Sequence, residues 1–363
     1  MQKNIICVLF GGRSSEHSVS CVSASNVISC LRKIPEYQLK LIGITDEGFF
    51  EFNGEDADIA SGLWEEQRER LSPIFFQPSF SGYLLNEAHD DYQMKKQPVD
   101  VFFPVLHGRN GEDGRIQGLF EMLSASYVGC ETLSSALTMD KECARRAFAC
   151  AGIPQTPAIS LGAWEFTGEL SQLTSAIEEA GLQYPLFVKP ANAGSSIGIS
   201  KVYQEDGLLS AVHIAFKEDE KILIEEGVEG RELEVAVLET EPRTRELFVS
   251  RPGEIIPGRD FYDYDDKYSD ESNSKLQLPA LLSPETESAI RDLAAASFRA
   301  ADCRGLARVD FFLRSRDQRL LLSEINTMPG FTPISMYPKL MELSGMSSEK
   351  LLRSLIRSAE RKR

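Results

Sequence analysis

The stretch VKPANAGSSIGIS, residues 188–200, joins an apolar strand to a loop of small residues. A lysine and a proline end the strand, and the glycines and serines that follow offer backbone N–H groups that could enclose an anion. The chain contains no GxxxxGK[ST] sequence, so this loop is not a P-loop. A lone lysine before such a loop is more often part of a surface turn. The loop therefore needs support from other parts of the chain.

That support lies near the C-terminus, in ARVDFF (307–312) and LLLSEINTMPG (320–330). Side chains alternate along a strand, so Arg308 and Asp310 share one face of the first strand. By the same rule, Glu324 and Asn326 share one face of the second strand. Carboxylate and amide oxygens are the ligands of Mg²⁺ or Mn²⁺, and Mg²⁺ usually takes substrate phosphates as well. Polar residues alternating outward on a half-exposed sheet would give the same pattern. The matched spacing in two successive strands favours the metal site.

Composition limits the possible functions. The 363 residues are enough for two or three domains, and 42% of them are hydrophobic. Lys and Arg number 39 against 55 Asp and Glu, a formal charge of −16, which would repel nucleic acid. The seven cysteines include no CxxC pair, which is typical of reduced thiols in a cytosolic protein. No apolar run is long enough to span a bilayer, so we expect a cytoplasmic protein without a membrane partner.

Hydrophobic patterns predict the order of helices and strands. Three apolar runs predict strands covered on both faces, as in a parallel α/β sheet: Ile5–Phe10, Leu39–Ile44 and Val99–Leu106. A helix is predicted over Ser18–Leu31 and another over Ser134–Ala149. Residues 253–279 follow no regular pattern and predict a long functional loop. Ser283 and Pro284 predict the start of a helix, as its N-cap and first turn.

Further motifs occur in a fixed order along the chain: GGRSSEHSVS (11–20), HGRNGEDG (107–114), FVKPANAGSSIGIS (187–200), IEEGVEGRELEVAV (224–237), FYDYDDKY (261–268), RVDFF (308–312), EINTMPGF (324–331) and TPISMYPKL (332–340). In this order they resemble, over the whole chain, the D-alanine–D-alanine ligase family of the ATP-grasp superfamily. The resemblance implies an α/β fold, α+β in its ATP-binding part, with three domains. These are an N-terminal parallel α/β domain (1–130), a central domain (131–218) and a C-terminal domain (219–363) with a lid loop at 253–279.

The resemblance also implies a nucleotide site between the central and C-terminal domains. Lys141 and Lys189 would hold the phosphates, and the loop with Ser195 and Ser196 would close over them. The residues implied to contact the adenine are Glu225, Glu226 and Val228, and Glu232 is implied to bind the ribose. The residues implied to hold two Mg²⁺ or Mn²⁺ ions are Asp310, Glu324 and Asn326. Taken alone, the acidic strand at 225–226 could equally be an exposed sheet edge.

The implied amino-acid site takes two molecules of D-alanine. Glu16 would anchor the first ammonium group beside His107, although a histidine before glycine could equally be structural. Arg308 and the Gly330 amide are implied to donate to the oxyanion of the tetrahedral intermediate. Ser335 and Lys267 are implied to hold the carboxylate of the second D-alanine. Tyr268 and Ser195 are implied to form hydrogen bonds towards Glu16.

The implied reaction is ATP-dependent ligation of two D-alanines, through a D-alanyl phosphate, for peptidoglycan synthesis in the cytoplasm. A homodimer is expected, as is common in the family, and Tyr268 favours D-alanine over D-lactate as the acceptor. Three alternatives remain open: a ligase with D-serine or D-lactate as acceptor, a nucleotide-binding regulator without activity, and a dehydrogenase. The last is suggested by Gly11-Gly12 alone and lacks the GxGxxG sequence.

Overall fold

The computed structural model describes residues 3–86, 94–194, 197–256 and 275–361. Its N-terminal part is a seven-stranded sheet in the order β6-β5-β4-β3-β2-β1-β7. The strands are β1 Asn4–Gly11, β2 Tyr37–Ile44, β3 Phe49–Phe52, β4 Leu71–Phe75, β5 Gly82–Asn86, β6 Met94–Pro98 and β7 Val101–Pro104. The helices of this part are α1 His17–Leu31, α2 Asp56–Ser61 and α3 Arg115–Met122.

The three predicted strands and the helix after the first of them are confirmed. Strand β1 pairs in parallel with β2 and with β7, and its residues from Ile6 to Gly11 are buried. The sheet is nevertheless mixed, because β3 to β6 continue it from β2 in antiparallel pairs. Strand β6 is mostly exposed, as an antiparallel strand at an edge can be. The parallel prediction therefore holds only for β2, β1 and β7, the three strands at one end of the sheet.

A second, antiparallel sheet has the order β10-β9-β11-β8. Its strands are β8 Ala158–Gly162, β9 Leu186–Pro190, β10 Ser200–Val202 and β11 Lys221–Glu226. Four helices belong to this part: α4 Thr132–Met139, α5 Lys141–Cys150, α6 Leu170–Ala180 and α7 Leu208–Ala215. Apolar side chains of α6 and α7 pack with Val188 and Ile224 of the sheet. The strand that ends in Lys189 therefore lies in a buried core.

The single helix predicted over Ser134–Ala149 is wrong, because the structure has two helices with Asp140 between them. Asp140 is extended, with φ −85° and ψ 101°, and its side chain accepts a hydrogen bond from Cys143 N at 3.0 Å. An aspartate at this position caps the new helix better than it continues the old one. The break makes Lys141 the first residue of α5.

The third sheet carries the order β15-β14-β12-β16-β17, with β13 also paired to β12. Its strands are β12 Gly230–Glu241, β13 Glu246–Val249, β14 Gly253–Ile256, β15 Lys275–Gln277, β16 Leu306–Arg314 and β17 Leu320–Asn326. The helices that follow in this part are α8 Pro284–Ala300, α9 Met336–Leu343 and α10 Ser348–Arg361. The predicted N-cap is confirmed, since Ser283 Oγ accepts a hydrogen bond from Thr286 N at 3.2 Å.

The predicted irregular loop at 253–279 is wrong at both of its ends. Strands β14 and β15 pair there, with Glu254 opposite Gln277. Strands of three or four residues are too short to show a hydrophobic period, so the sequence did not reveal them. Residues 257–274, with most of the predicted lid, lie outside the described residues.

One hydrophobic core joins the N-terminal and C-terminal parts of the chain. Helices α9 and α10 contribute Tyr337, Leu340 and Leu355 to the same cluster as Phe10 and Ile28. The Tyr337 hydroxyl donates a hydrogen bond to Val237 O at 3.1 Å, which fixes α9 to the third sheet. Helix α9 thereby packs in the same core as helix α1 and is bonded to the third sheet.

The predicted domain limits stay a prediction, although one limit does not follow the sheets. The four-stranded sheet includes β11, which lies beyond the predicted boundary at residue 218. The seven cysteines are all free thiols. Among the helices of the described ranges, none combines the length and the apolarity that crossing a membrane requires.

Candidate active site

A cluster of charged side chains lies on the third sheet around Arg308. Its guanidinium forms two hydrogen bonds with Asp310, from Nε to Oδ1 at 2.8 Å and from Nη2 to Oδ2 at 2.7 Å. Glu234 Oε2 lies 3.1 Å from the Nε atom. Burial alone would lower the pKa of Arg308, but the carboxylates of Asp310, Glu234 and Glu324 raise it well above its usual range. One fixed positive charge therefore faces three carboxylates.

Strand register brings these side chains together. Asp310 lies opposite Glu324 on β17 and opposite Glu234 on β12, and Arg308 lies opposite Asn326. The predicted face shared by Arg308 and Asp310 is thus correct, and its neighbours are the predicted metal residues. Glu234 was not predicted. Alternation with Glu232 in the same strand was the signal that could have revealed it.

The oxygen atoms of this cluster suit Mg²⁺ or Mn²⁺ only as part of a larger ligand set. Within the described ranges, no group of three or more His, Cys, Asp or Glu side chains could hold a metal ion alone. Asn326 Oδ1 accepts a hydrogen bond from Met328 N at 3.1 Å, and this oxygen has a second lone pair. Phosphate oxygens would have to complete the coordination, as they commonly do for Mg²⁺.

A cavity of about 500 Å³ lies between the second and third sheets, and the cluster forms one end of it. Predicted residues that line it are Lys141, Lys189, Glu225, Glu226, Val228, Glu232, Arg308, Asp310 and Glu324. Apolar side chains, among them Phe187, Leu233 and Ile255, line it as well. A cavity with lysines, carboxylates and an apolar wall suits a nucleotide, whose base is flat and whose phosphates are charged. Asn326 is not among its lining residues.

Each predicted phosphate-binding lysine has an interaction within the protein. Lys189 Nζ forms an ion pair with Glu225, which also receives Arg145 Nη1 at 3.1 Å. Lys141 Nζ donates a hydrogen bond to Ala193 O at 2.7 Å, and Lys141 N bonds to Ala191 O at 3.0 Å. The contact of Lys141 ties α5 to the predicted phosphate loop. Arg145 was not predicted, and its place one turn after Lys141 was the only signal in the sequence.

The predicted adenine and ribose residues lie on β11, β12 and the turn between them. Glu226 Oε2 accepts a hydrogen bond from Gln183 N at 3.3 Å, and Gly227 N donates one to Pro185 O at 2.7 Å. These bonds fix the turn that carries Val228. Glu232 follows on β12, opposite Phe312 of β16. All four predicted residues, Glu225, Glu226, Val228 and Glu232, therefore border the same cavity as the lysines.

Glu16 lies in a second cavity, of about 720 Å³, between the N-terminal part and residues Asn192, Ala193, Gly194 and Ile197. It is 7% exposed and precedes the first turn of α1, where Ser20 N bonds to its carbonyl oxygen at 3.0 Å. Gly108 has φ +69°, and a Cβ atom there would lie 2.7 Å from Glu16 Oε2. The carboxylate thus packs directly against a backbone position that only glycine suits. Gly194 of the predicted phosphate loop is next to it.

His107 is 4% exposed, and both of its ring nitrogens have a neighbour. Nδ1 lies 3.2 Å from Met328 O, and Nε2 lies 3.1 Å from Ser23 Oγ. Ser23 Oγ also accepts a hydrogen bond from Phe331 N at 3.2 Å. His107 therefore connects helix α1 with the segment 328–331. Ser23 was not predicted, although it follows Glu16 by seven residues and so lies on the same side of α1.

Gly330 and Ser335 form one turn before helix α9. A Cβ atom at Gly330 would lie 2.6 Å from Ser335 Oγ, so the predicted pair is in close contact. Ser335 Oγ accepts a hydrogen bond from Thr332 N at 3.0 Å and lies 2.8 Å from the Thr332 hydroxyl. The turn is therefore held by its own side chains and, through Phe331, by Ser23.

Four predicted site residues lie outside the described residues: Ser195, Ser196, Lys267 and Tyr268. The hydrogen-bonded set of Glu16, Ser195 and Tyr268 thus stays a prediction. So does the role of Lys267 at the second carboxylate.

Comparison with known proteins agrees with this geometry. The family model described as the D-ala D-ala ligase N-terminus matches residues 5–130, and that of the D-ala D-ala ligase C-terminus matches residues 147–357. This chain belongs to the D-alanine–D-alanine ligase family. A curated D-alanine--D-alanine ligase of Acetivibrio thermocellus is 44% identical over 366 residues, covering 98% of this chain and 95% of the relative. One of a Thermoanaerobacter species is 45% identical, covering 99% and 97%.

Solved structures show the same fold over the whole chain. The VanG D-Ala:D-Ser ligase of Enterococcus faecalis superposes with a TM-score of 0.86 at 37% identity, covering 99% of this chain and 100% of that one. The D-alanine-D-alanine ligase of Coxiella burnetii gives 0.84 at 30% identity, covering 100% and 95%. The predicted ATP-grasp fold is therefore confirmed.

Proposed function

We propose that this protein is an ATP-dependent, ADP-forming carbon–nitrogen ligase that joins two D-alanines into D-alanyl-D-alanine for peptidoglycan synthesis. The observation that carries the proposal is the cluster in which Arg308 faces Asp310, Glu234 and Glu324 at one end of the nucleotide-sized cavity. An arginine can stabilise a negative charge that develops on a reacting oxygen. The three carboxylates outnumber the one arginine, so the cluster would bind metal cations, which would enter together with the phosphates of ATP.

ATP would occupy the 500 Å³ cavity. Lys141 and Lys189 would hold the α- and β-phosphates, and Ser195 and Ser196 would lie above them. Glu225, Glu226 and Val228 would contact the adenine, and Glu232 the ribose hydroxyls. Lys189 can turn from Glu225 to a phosphate without leaving that carboxylate unpaired, because Arg145 remains bonded to it.

Two Mg²⁺ or Mn²⁺ ions would be held by Asp310, Glu324 and Asn326. When bound, such ions neutralise charge on the phosphates and on the reacting oxygens. The carboxylates of this chain fit them, because the single charge of Arg308 does not balance three acidic neighbours. Arg308 also keeps Asp310 oriented through two hydrogen bonds before any ligand arrives.

The amino-acid substrates would lie between Glu16 and the turn at Gly330. Glu16 would hold the ammonium of the first D-alanine beside His107. The carboxylate of this D-alanine would receive the γ-phosphoryl group of ATP. The amine of the second D-alanine then attacks the carbonyl carbon, and phosphate leaves with the former carboxylate oxygen. Arg308 and the Gly330 amide would donate hydrogen bonds to the tetrahedral oxyanion. Ser335, Lys267 and Tyr268 would orient the second D-alanine.

A D-Ala–D-Ser ligase is the second candidate, because the VanG D-Ala:D-Ser ligase superposes on 99% of this chain. The two reactions share the first substrate and the acyl phosphate and differ only in the amine that attacks it. We favour D-alanine because the curated relatives carry that name and because Tyr268 predicts it. A role in the cytoplasm and a homodimeric state are further proposals from the family resemblance.

Phosphate release from ATP tests the proposal when D-alanine, L-alanine, D-serine and D-lactate are offered singly and each together with D-alanine. We expect release with D-alanine alone, matched by D-alanyl-D-alanine in the mass spectrum. Release that requires D-serine or D-lactate together with D-alanine would identify a mixed ligase. ATP binding without turnover in every mixture would leave a nucleotide-binding regulator.

A further inference from the structure

Helix α1 presents a row of polar side chains to the candidate site. Glu16 precedes the helix, and Ser20 and Ser23 follow at spacings of four and seven residues, so all three lie on one side. Both serines are fully buried. Ser20 Oγ accepts a hydrogen bond from Gly11 N at 2.9 Å and donates one to Val105 O, so it holds the ends of two strands. Ser23 instead contacts residues of two distant segments.

The contacts of Ser23 determine where the protons lie. Met328 O can only accept, so the His107 nitrogen that faces it at 3.2 Å, Nδ1, must carry a hydrogen. Phe331 N–H donates to Ser23 Oγ at 3.2 Å. The Ser23 hydrogen is then available for His107 Nε2 at 3.1 Å, which accepts if it is unprotonated. One neutral form of the ring satisfies all three contacts.

The opposite neutral tautomer does not satisfy them. With the hydrogen on Nε2, the lone pair of Nδ1 would face the lone pairs of Met328 O at 3.2 Å. A doubly protonated ring would donate to both neighbours, and the Ser23 hydroxyl hydrogen would then need a different acceptor. Glu112 has its Oε1 atom 3.9 Å from Nδ1, beyond hydrogen-bonding distance.

We propose that Ser23 is a positioning residue that holds His107 as the neutral Nδ1-protonated tautomer and fixes the Phe331 N–H beside Gly330. A Cβ atom at Gly330 would lie 3.9 Å from Ser23 Oγ, so the hydroxyl lies close to the residue whose amide is assigned to the oxyanion. Asn26, one turn later on α1, donates a hydrogen bond to Phe331 O at 3.0 Å and fixes the other side of the same residue. The kinetic part of this inference rests on the proposed function; the tautomer does not.

The consequence is a coupling between the two amino-acid subsites. His107 lies in the N-terminal part near Glu16, and Gly330 and Ser335 lie in the turn before α9. Ser23 is the side chain that contacts both His107 and Phe331. Loss of the Ser23 hydroxyl would remove the hydrogen-bond partner of Phe331 N–H and of His107 Nε2 at the same time. Residues of both subsites should therefore shift.

Nitrogen-15 labelling of histidine tests the tautomer directly. The chain has four histidines, so few ring signals need assignment, and a His107→Gln variant identifies that of His107. In the wild-type protein near neutral pH we expect a protonated Nδ1 and an unprotonated Nε2. Ser23→Ala should convert this signal to a mixture with the Nε2-protonated form. A wild-type ring that is protonated on Nε2 or on both nitrogens would overturn the proposal, as would an unchanged signal in Ser23→Ala.

Kinetics test the positioning role. Ser23→Ala should lower kcat/KM for D-alanine by about tenfold, as expected when a buried donor loses its acceptor, and should leave KM for ATP within about twofold. Ser23→Thr keeps the hydroxyl and should restore the tautomer and most of the activity. A Ser23→Ala variant that loses ATP affinity equally would indicate a general structural defect and overturn the role.

Ser358→Ala provides a matched control. Ser358 is a helix serine that is 2% exposed, and within the described part of the chain its hydroxyl has no hydrogen-bond partner. Its removal should alter neither the His107 signal nor the kinetics. If the wild-type protein releases no phosphate with any amino acid, the proposed function fails, whereas the wild-type spectrum still decides the tautomer.

Discussion

Strand β16 carries the arginines of two arginine–aspartate pairs, which have almost the same geometry but different surroundings. Arg308 bonds to Asp310 at 2.8 and 2.7 Å, and Arg314 bonds to Asp317 at 2.9 and 2.6 Å. The first pair lies in the nucleotide-sized cavity with Glu234 and Glu324 beside it. The second lies at the turn after the strand, where the Asp317 side chain is 35% exposed.

The difference shows that the geometry of an ion pair does not identify a functional site. The Arg314 pair is balanced, with one positive and one negative charge, and needs no further partner. At Arg308 one positive charge faces three carboxylates, and such a surplus in a buried cavity is costly unless cations arrive. The charge balance, more than the hydrogen bonds, supports the proposed role of the Arg308 cluster in holding metal-bound phosphates.

The largest effect is expected from Arg308→Ala. Loss of one preorganised donor to the oxyanion should lower kcat by about 10²–10³, about 2.7–4 kcal/mol in the activation barrier. ATP affinity, measured by calorimetry with ADP, should change much less. Arg314→Ala removes the matched pair on the same strand and should leave kcat near the wild-type value. Equal loss of kcat in both variants, or loss of ADP binding alone in Arg308→Ala, would contradict the assignment.

Glu324→Gln should have the next largest effect. It keeps the shape of the side chain but removes one of the three negative charges around Arg308. The Mg²⁺ concentration that gives half-maximal turnover should rise on the order of tenfold, as for the loss of metal-site interactions in general. Electron paramagnetic resonance of Mn²⁺ in the presence of a non-hydrolysable ATP analogue measures the same loss without turnover. An Mn²⁺ affinity equal to that of the wild type would rule Glu324 out as a ligand.

The smallest effect is expected from Asp317→Asn, which breaks the balanced pair. The hydrogen bonds from Arg314 lower the pKa of Asp317 to about 2 in the folded protein, below the ordinary value of about 3.9. The stability that this pair contributes is therefore fully present above the unfolded pKa and is lost as the pH falls through the folded one. We expect a small decrease in Tm between pH 5 and 8 that shrinks below pH 4, with normal turnover. A decrease in Tm that stays constant down to pH 3 would contradict this.

The sequence was sufficient for what depends on local pattern. Alternation in ARVDFF predicted that Arg308 and Asp310 share one face, and alternation in the next strand predicted the same for Glu324 and Asn326. The structure then pairs Asp310 with Glu324 and Arg308 with Asn326. Glu234 was not predicted, because its strand lies more than seventy residues before Arg308 in the sequence. Only the register of β12 against β16 brings Glu234 to Arg308. That register is set by packing of the whole sheet, which no local pattern reports.

The same limit explains the other residues that sequence reasoning missed. Arg145 reaches Glu225 across the space between α5 and β11, and Ser23 reaches Phe331 from a helix more than three hundred residues earlier. Both contacts depend on how helices dock on sheets. The break at Asp140 was readable in principle, since aspartate is a common N-cap. One helix was predicted because no glycine or proline interrupts the segment before Gly152.

Transfer of a heavy oxygen isotope from D-alanine to phosphate tests the central claim most directly. D-alanine labelled in its carboxylate is incubated with unlabelled ATP, and the released phosphate and the dipeptide are weighed by mass spectrometry. In the proposed reaction the D-alanine carboxylate receives the γ-phosphoryl group, and the amine of the second D-alanine then displaces phosphate. Each D-alanyl-D-alanine formed must therefore be accompanied by one phosphate that carries one labelled oxygen. Unlabelled phosphate released alongside the dipeptide, or labelled phosphate without any dipeptide, would contradict the account.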